Sequence, residues 1–112
     1  MALVTLEQAK AYLRVDSDYE DPLIQTILDT AGRLCADVAR LTDEEWEAVD
    51  SKSQDEENGT DPTPKLKARR ELMTVAVLFT VGYLYEHRED ADHHALTLTL
   101  RSLLSSIREG VV

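Results

Sequence analysis

The sequence predicts an all-α protein: a small bundle of four helices, with two long antiparallel helices as its core and a long acidic loop between them. Apolar residues recur at steps of three and four along most of the chain, as they do on one face of a helix. Residues that favour helix starts precede these segments. At 112 residues the chain is expected to form a single domain, residues 1–112.

The first predicted helix covers about residues 5–15. Thr5 and Gln8 have the spacing of a capping box, in which each side chain bonds the backbone of the other residue. Leu6, Ala9 and Leu13 mark the side expected to be buried. Tyr12 lies at its margin.

The second predicted helix covers about residues 18–40 and has the most regular amphipathic pattern of the chain. Its start is open between Ser17, as a capping residue, and Asp21-Pro22, with proline in the first turn. Its apolar positions are Leu23, Ile24, Ile27, Leu28, Ala31, Leu34, Cys35 and Val38.

The chain's acidity is concentrated at residues 42–61, which carry nine acids and the single base Lys52, a net charge of −8 out of −10. We expect an acidic, partly flexible loop at about residues 42–63. A capping box at Thr42 and Glu45 can start a short helix carrying Trp46 and Val49. Residues 50–63 lack apolar periodicity and are predicted to be mobile.

The third predicted helix covers about residues 64–88, after the start signal Thr63-Pro64. Residues 72–85 are apolar on nearly every side, as in a helix at the centre of a core or between subunits. A last helix is predicted at about residues 97–109. The alternation of leucine and threonine at residues 96–100 also permits a short extended stretch.

Composition argues against several classes of function. A strongly acidic chain is a poor ligand for nucleic-acid phosphates and for anionic membranes. No apolar segment is long enough to span a membrane, and the N-terminus does not resemble a signal peptide. The single cysteine fits a reducing compartment, so we expect a soluble protein in the cytoplasm during synthesis.

No group of residues predicts catalysis. Cys35 lies on the apolar side of the second helix, which favours a buried and inert thiol. Glu86, His87, Asp92, His93 and His94 could suggest a metal site, but their spacing favours a solvated polar turn. We therefore expect neither an enzyme nor a bound cofactor or metal.

Two groups of residues are candidates for subunit or partner contacts. The basic cluster at the start of the third helix comprises Lys65, Lys67, Arg69 and Arg70. Its partner could be the acidic segment of the same chain, an acidic neighbour in an assembly, or phosphate. The second group, at the end of that helix, comprises Tyr83, Tyr85, Glu86 and Arg88. It predicts either a helix end at the core margin or a subunit contact.

Several short motifs, in their order, resemble the phage head–tail connector family. These are residues 4–7 (VTLE), 12–16 (YLRVD), 21–24 (DPLI) and 84–89 (LYEHRE), followed by the leucine-rich helix at residues 96–108. The family's LYENRE string has asparagine where this chain has His87. The long acidic stretch between the second and third helices departs from the family pattern.

The resemblance implies a structural virion protein of a tailed phage or prophage, located at the head–tail junction after assembly in the host cytoplasm. The family's subunits form a ring of about a dozen copies. The implied partners are other copies of the chain, the portal protein and a tail-side completion protein, with DNA passing through the ring without specific binding and no membrane contact. The alternative is a small acidic helical regulator, such as a nucleic-acid mimic.

Overall fold

The computed structural model describes residues 3–51, 59, 63–87 and 94–108, and its regular secondary structure over these residues is entirely helical. The all-α prediction is therefore confirmed. The helices are α1 (Leu6–Leu13), α2 (Asp21–Val38), α3 (Asp43–Asp50), α4 (Pro64–Glu86), α5 (His94–Leu103) and α6 (Ser105–Arg108).

Helices α2 and α4 pack against each other in opposite directions and form the centre of the molecule. Glu20, at the start of α2, bonds Tyr85 at the end of α4. Cys35, near the end of α2, contacts Thr80. Farther along the chain, α3 bonds Arg70 near the start of α4. The core around these helices includes Ile24, Leu28, Ala31, Cys35, Met73, Ala76 and Val81.

Helix α1 begins at the predicted capping box and ends two residues before the predicted boundary. The Thr5 side chain accepts from the Gln8 amide, and the Gln8 side chain accepts from the Thr5 amide. Arg14 then adopts a left-handed conformation (φ 61°), and its amide bonds carbonyls of the last turn. This geometry closes the helix at Leu13.

An ion-pair cluster joins α1 to the start of α2. Lys10 Nζ lies 2.9 Å from Asp18 and 2.8 Å from Asp21. Hydrogen bonds to Asp21 and Asp18 raise the pKa of Lys10 above its ordinary value. Helix α2 starts at Asp21 with proline in its first turn, which is the second of the two starts that the sequence left open.

Asp43–Asp50 form α3, so the loop predicted for residues 42–63 is wrong over this stretch, and the short helix that the capping box allowed there is confirmed. The Thr42–Glu45 capping box is present, and bonding to the Thr42 backbone lowers the pKa of Glu45. The acids that suggested a loop favour the helix instead, since carboxylates in a first turn complement the helix dipole. Val49 is buried and fixes α3 to the body. The predicted mobility concerns residues 50–63; residues 52–58 and 60–62 lie outside the described structure.

Helix α4 begins as predicted, with the Thr63 side chain accepting from the Leu66 amide and Pro64 in the first turn. The last predicted helix instead starts earlier, at His94, and is interrupted at Leu104. The extended alternative for residues 96–100 is wrong, because Leu96, Leu100, Leu104 and Ile107 follow helical spacing and are all buried. The prediction of only four helices is therefore also wrong for the described residues, which form six.

None of the helices in the described part of the chain combines the length and the hydropathy needed to cross a membrane.

Candidate subunit-contact surface

The most exposed side of α4 carries an apolar stripe. Its residues are spaced by three or four positions, which places them in one line along the helix. We call this line the α4 outer face; it consists of Glu71, Val75, Phe79, Gly82 and Glu86. Val75 is 56% exposed and Phe79 is 37% exposed, so the centre of the stripe presents apolar side chains to solvent.

The opposite side of α4 is part of the core. Met73, Ala76 and Val81 are completely buried there. Helix α4 therefore has little amphipathic character: it is apolar toward the core and apolar again at the middle of its outer face. A helix of this kind is typical of a position between two packing partners.

Helix α1 contributes an aromatic ring beside the outer face. A Cβ atom placed on Gly82 would lie 2.9 Å from Tyr12 Cε2, so the tyrosine ring packs directly against the glycine backbone. Tyr12 remains 50% exposed. Gly82 lies one turn after Phe79, and the apolar stripe therefore continues from Val75 and Phe79 onto the Tyr12 ring.

The four predicted contact residues at the end of α4 have different positions. Tyr85 is half-buried and donates its hydroxyl proton to Glu20, at 2.5 Å. Tyr83 stacks on His87, with ring centroids 4.3 Å apart. Glu86 is exposed and ends the outer face. Arg88 lies outside the described residues.

The basic cluster divides into two pairs. Lys65 and Lys67 are exposed, whereas Arg69 and Arg70 turn toward α3. Arg69 lies 3.5 Å from Glu45. Arg70 donates from Nε to the Val49 carbonyl at 3.2 Å and from Nη2 to the Ala48 carbonyl at 2.7 Å. The two arginines thus use the acidic segment of the same chain, one of the three partners that the sequence left open.

The buried thiol of Cys35 has no features of a nucleophile. It is completely buried and lies 3.4 Å from the Thr80 hydroxyl. Burial raises the pKa of Cys35 to about 11, which keeps the thiol protonated at neutral pH. The predicted buried position of this residue is confirmed.

Tyr85, in the LYEHRE string, provides a test of whether this residue stabilises its own chain or contacts a neighbouring subunit. Tyr85→Phe removes the hydroxyl that bonds Glu20 and should lower the free energy of unfolding by about 1 kcal/mol. We expect no change in assembly. Urea unfolding and solution mass measure the two effects, with Tyr19→Phe, at a highly exposed tyrosine, as the control. Weaker assembly with unchanged stability would instead make Tyr85 a subunit contact.

Comparison of the chain with protein-family models, with curated proteins and with solved structures found no match. The functional argument therefore depends on the residues and contacts of the chain itself.

Three residues of this surface were not among the predicted contact residues: Tyr12, Val75 and Phe79. The sequence signal for two of them is the four-residue step from Val75 to Phe79, with Glu71 four residues before Val75 and Glu86 seven residues after Phe79.

Proposed function

We propose that the chain is a structural subunit of a head–tail connector ring in a tailed phage or prophage, joining the capsid portal to the tail. The observation that carries this proposal is the α4 outer face, where Val75 and Phe79 are exposed on a helix whose other side forms the core. The order of motifs along the sequence supports the choice of family. In this proposal α1, α2, α4 and α5 form the body, and an acidic segment connects the two long helices.

Assembly would bury the exposed apolar side chains of the α4 outer face. Full burial of an exposed valine or phenylalanine side chain contributes about 1.5–3 kcal/mol. Val75 is 56% and Phe79 is 37% exposed, so a neighbour that covers both would gain about 2 kcal/mol for each contact. Identical subunits that meet through two different surfaces form a closed ring when the rotation between them closes. The outer face is proposed as one of these two surfaces.

The charge of the chain suits a passage for DNA. Residues 42–61 carry −8 of the chain's net charge of −10, so a ring lumen lined by this segment would repel phosphate groups and keep DNA from adhering to the wall. The portal protein and a tail-side completion protein are the proposed neighbours above and below the ring.

The experiment compares the size of the native chain with that of the Val75→Asp/Phe79→Asp double variant. We expect the native chain at high concentration to form rings visible by electron microscopy, with a matching mass in solution. The double variant should keep its helicity and remain a monomer, because two carboxylates at the contact would lose hydration on burial.

Leu98→Asp is the matched control, since Leu98 is also exposed but lies on α5. This variant should still assemble. Equal loss of assembly in both variants would contradict the assignment to the α4 outer face. A native mass of one or two chains at every concentration would contradict the ring and favour the acidic regulator.

A further inference from the structure

A pocket of about 160 Å³ opens between α2, α3 and the segment before α1. Its floor is apolar and includes Val4, Leu28 and Val77, all of which are nearly fully buried. Val77 lies two positions after Val75 on α4, so the pocket and the α4 outer face occupy different sides of that helix. The pocket is thus a separate feature from the proposed subunit contact.

One wall of the pocket is formed by the tryptophan of α3. A Cβ atom on Gly32 would lie 3.1 Å from Trp46 Cζ2, so the indole packs closely on the α2 backbone. On the other side, Asp50 accepts a hydrogen bond from the Leu3 amide at 2.9 Å and holds the N-terminal segment against α3. These contacts from three parts of the chain define the shape of the pocket.

The rim of the pocket has a net negative charge, from two carboxylates and one cation. Asp29 and Asp50 line it, and Asp43 lies on the same side of α3 as Trp46, one turn before it. The lining also includes the cation Arg33, whose guanidinium lies 3.6 Å from Asp43. Carboxylates around an apolar floor favour an occupant that is itself apolar and carries positive charge beside the apolar group.

We propose that this pocket is a docking site for a partner protein segment that inserts one apolar side chain and places lysine or arginine residues on the acidic rim. The volume supports a single anchor, because an apolar cavity of about 150 Å³ accommodates a benzene-sized group. A buried anchor in a pocket, with weaker contacts around it, is a common arrangement at protein–protein interfaces. This inference does not depend on ring formation.

The experiment uses three synthetic peptides and the fluorescence of Trp46, the chain's single tryptophan. The probe is acetyl-KKLKK-amide, and the matched peptides are acetyl-KKAKK-amide, which lacks the anchor, and acetyl-EELEE-amide, which reverses the charge. We expect the leucine peptide to change the Trp46 emission and to bind at least ten times more tightly than the alanine peptide. The acidic peptide should not bind.

Two exposed acids of α2 supply a test variant of the protein and its matched control. Asp29→Lys changes the rim and should weaken binding of the leucine peptide at least tenfold. Asp37→Lys makes the same charge change outside this pocket and should weaken binding less than threefold. Circular dichroism verifies that both variants keep their helicity. Equal affinity for the leucine and alanine peptides, or equal effects of the two variants, would show general attraction to an acidic protein and would overturn the proposal.

Discussion

Val81→Asp is expected to unfold the chain. Val81 is completely buried on the core side of α4. A carboxylate at this position would be buried without a charged or hydrogen-bonding partner. The loss of the valine packing would lower the free energy of unfolding further. Together these effects amount to several kcal/mol, against a total stability of about 5–15 kcal/mol for a domain of this kind. Loss of the helical circular dichroism signal at 25 °C is the measurement.

Val75→Asp is the matched control for this prediction. The residue type, the substitution and the helix are the same, but Val75 is more than half exposed. This variant should keep its helicity and unfold cooperatively, within about 1 kcal/mol of the native chain, as most surface substitutions do. If both variants unfolded, the outer side of α4 would belong to the core of the isolated chain and could not be a free contact surface.

Arg70→Met should have the next largest effect, a loss of about 3 kcal/mol in the free energy of unfolding. Arg70 is only 5% exposed and bonds the Ala48 and Val49 carbonyls in the last turn of α3. Carbonyls at a helix end lack partners within the helix, and a cation beside them also complements the helix dipole. Methionine retains part of the side-chain packing but supplies neither the donors nor the charge.

Urea unfolding measures this loss, and Trp46 emission reports whether α3 separates from the body. Lys67→Met is the control, because Lys67 is an exposed cation of the same helix. It should change stability by less than about 0.5 kcal/mol. An effect of Arg70→Met as small as that of the control would mean that α3 does not depend on Arg70 for its position.

Local signals predicted the helix starts well and the helix ends less well. The caps at Thr5, Thr42 and Thr63 were read from the sequence and are present in the structure. The end of α1 was misplaced because Arg14 adopts the left-handed conformation that glycine usually supplies. The start of α2 was left open between two local signals, and the structure places it at Asp21-Pro22, with proline in the first turn.

The candidate contact surface was only partly predictable. An apolar helix with two packing partners was expected at residues 64–88, but an all-round apolar pattern does not say which side meets the core. That choice is made by α2 through tertiary packing, which leaves Val75 and Phe79 outside. For Arg69 and Arg70, the acidic segment of the same chain was one of the three partners that the sequence left open. The sequence did not indicate that Arg70 would bond backbone carbonyls of α3, because most of residues 42–63 were expected to form a loop.

The contact between α3 and Arg70 also fixes the positions of the two ends, Ser51 and Thr63, of the segment that connects α3 to α4. Arg70 bonds the end of α3 and so holds it beside α4. Arg70 lies seven residues after Thr63, a distance of about 10 Å along the axis of α4. Both ends of the connecting segment are thus fixed near each other by the folded body. The separation between Ser51 and Thr63 is therefore set by the packing of α3 against α4, and not by the number of residues between them.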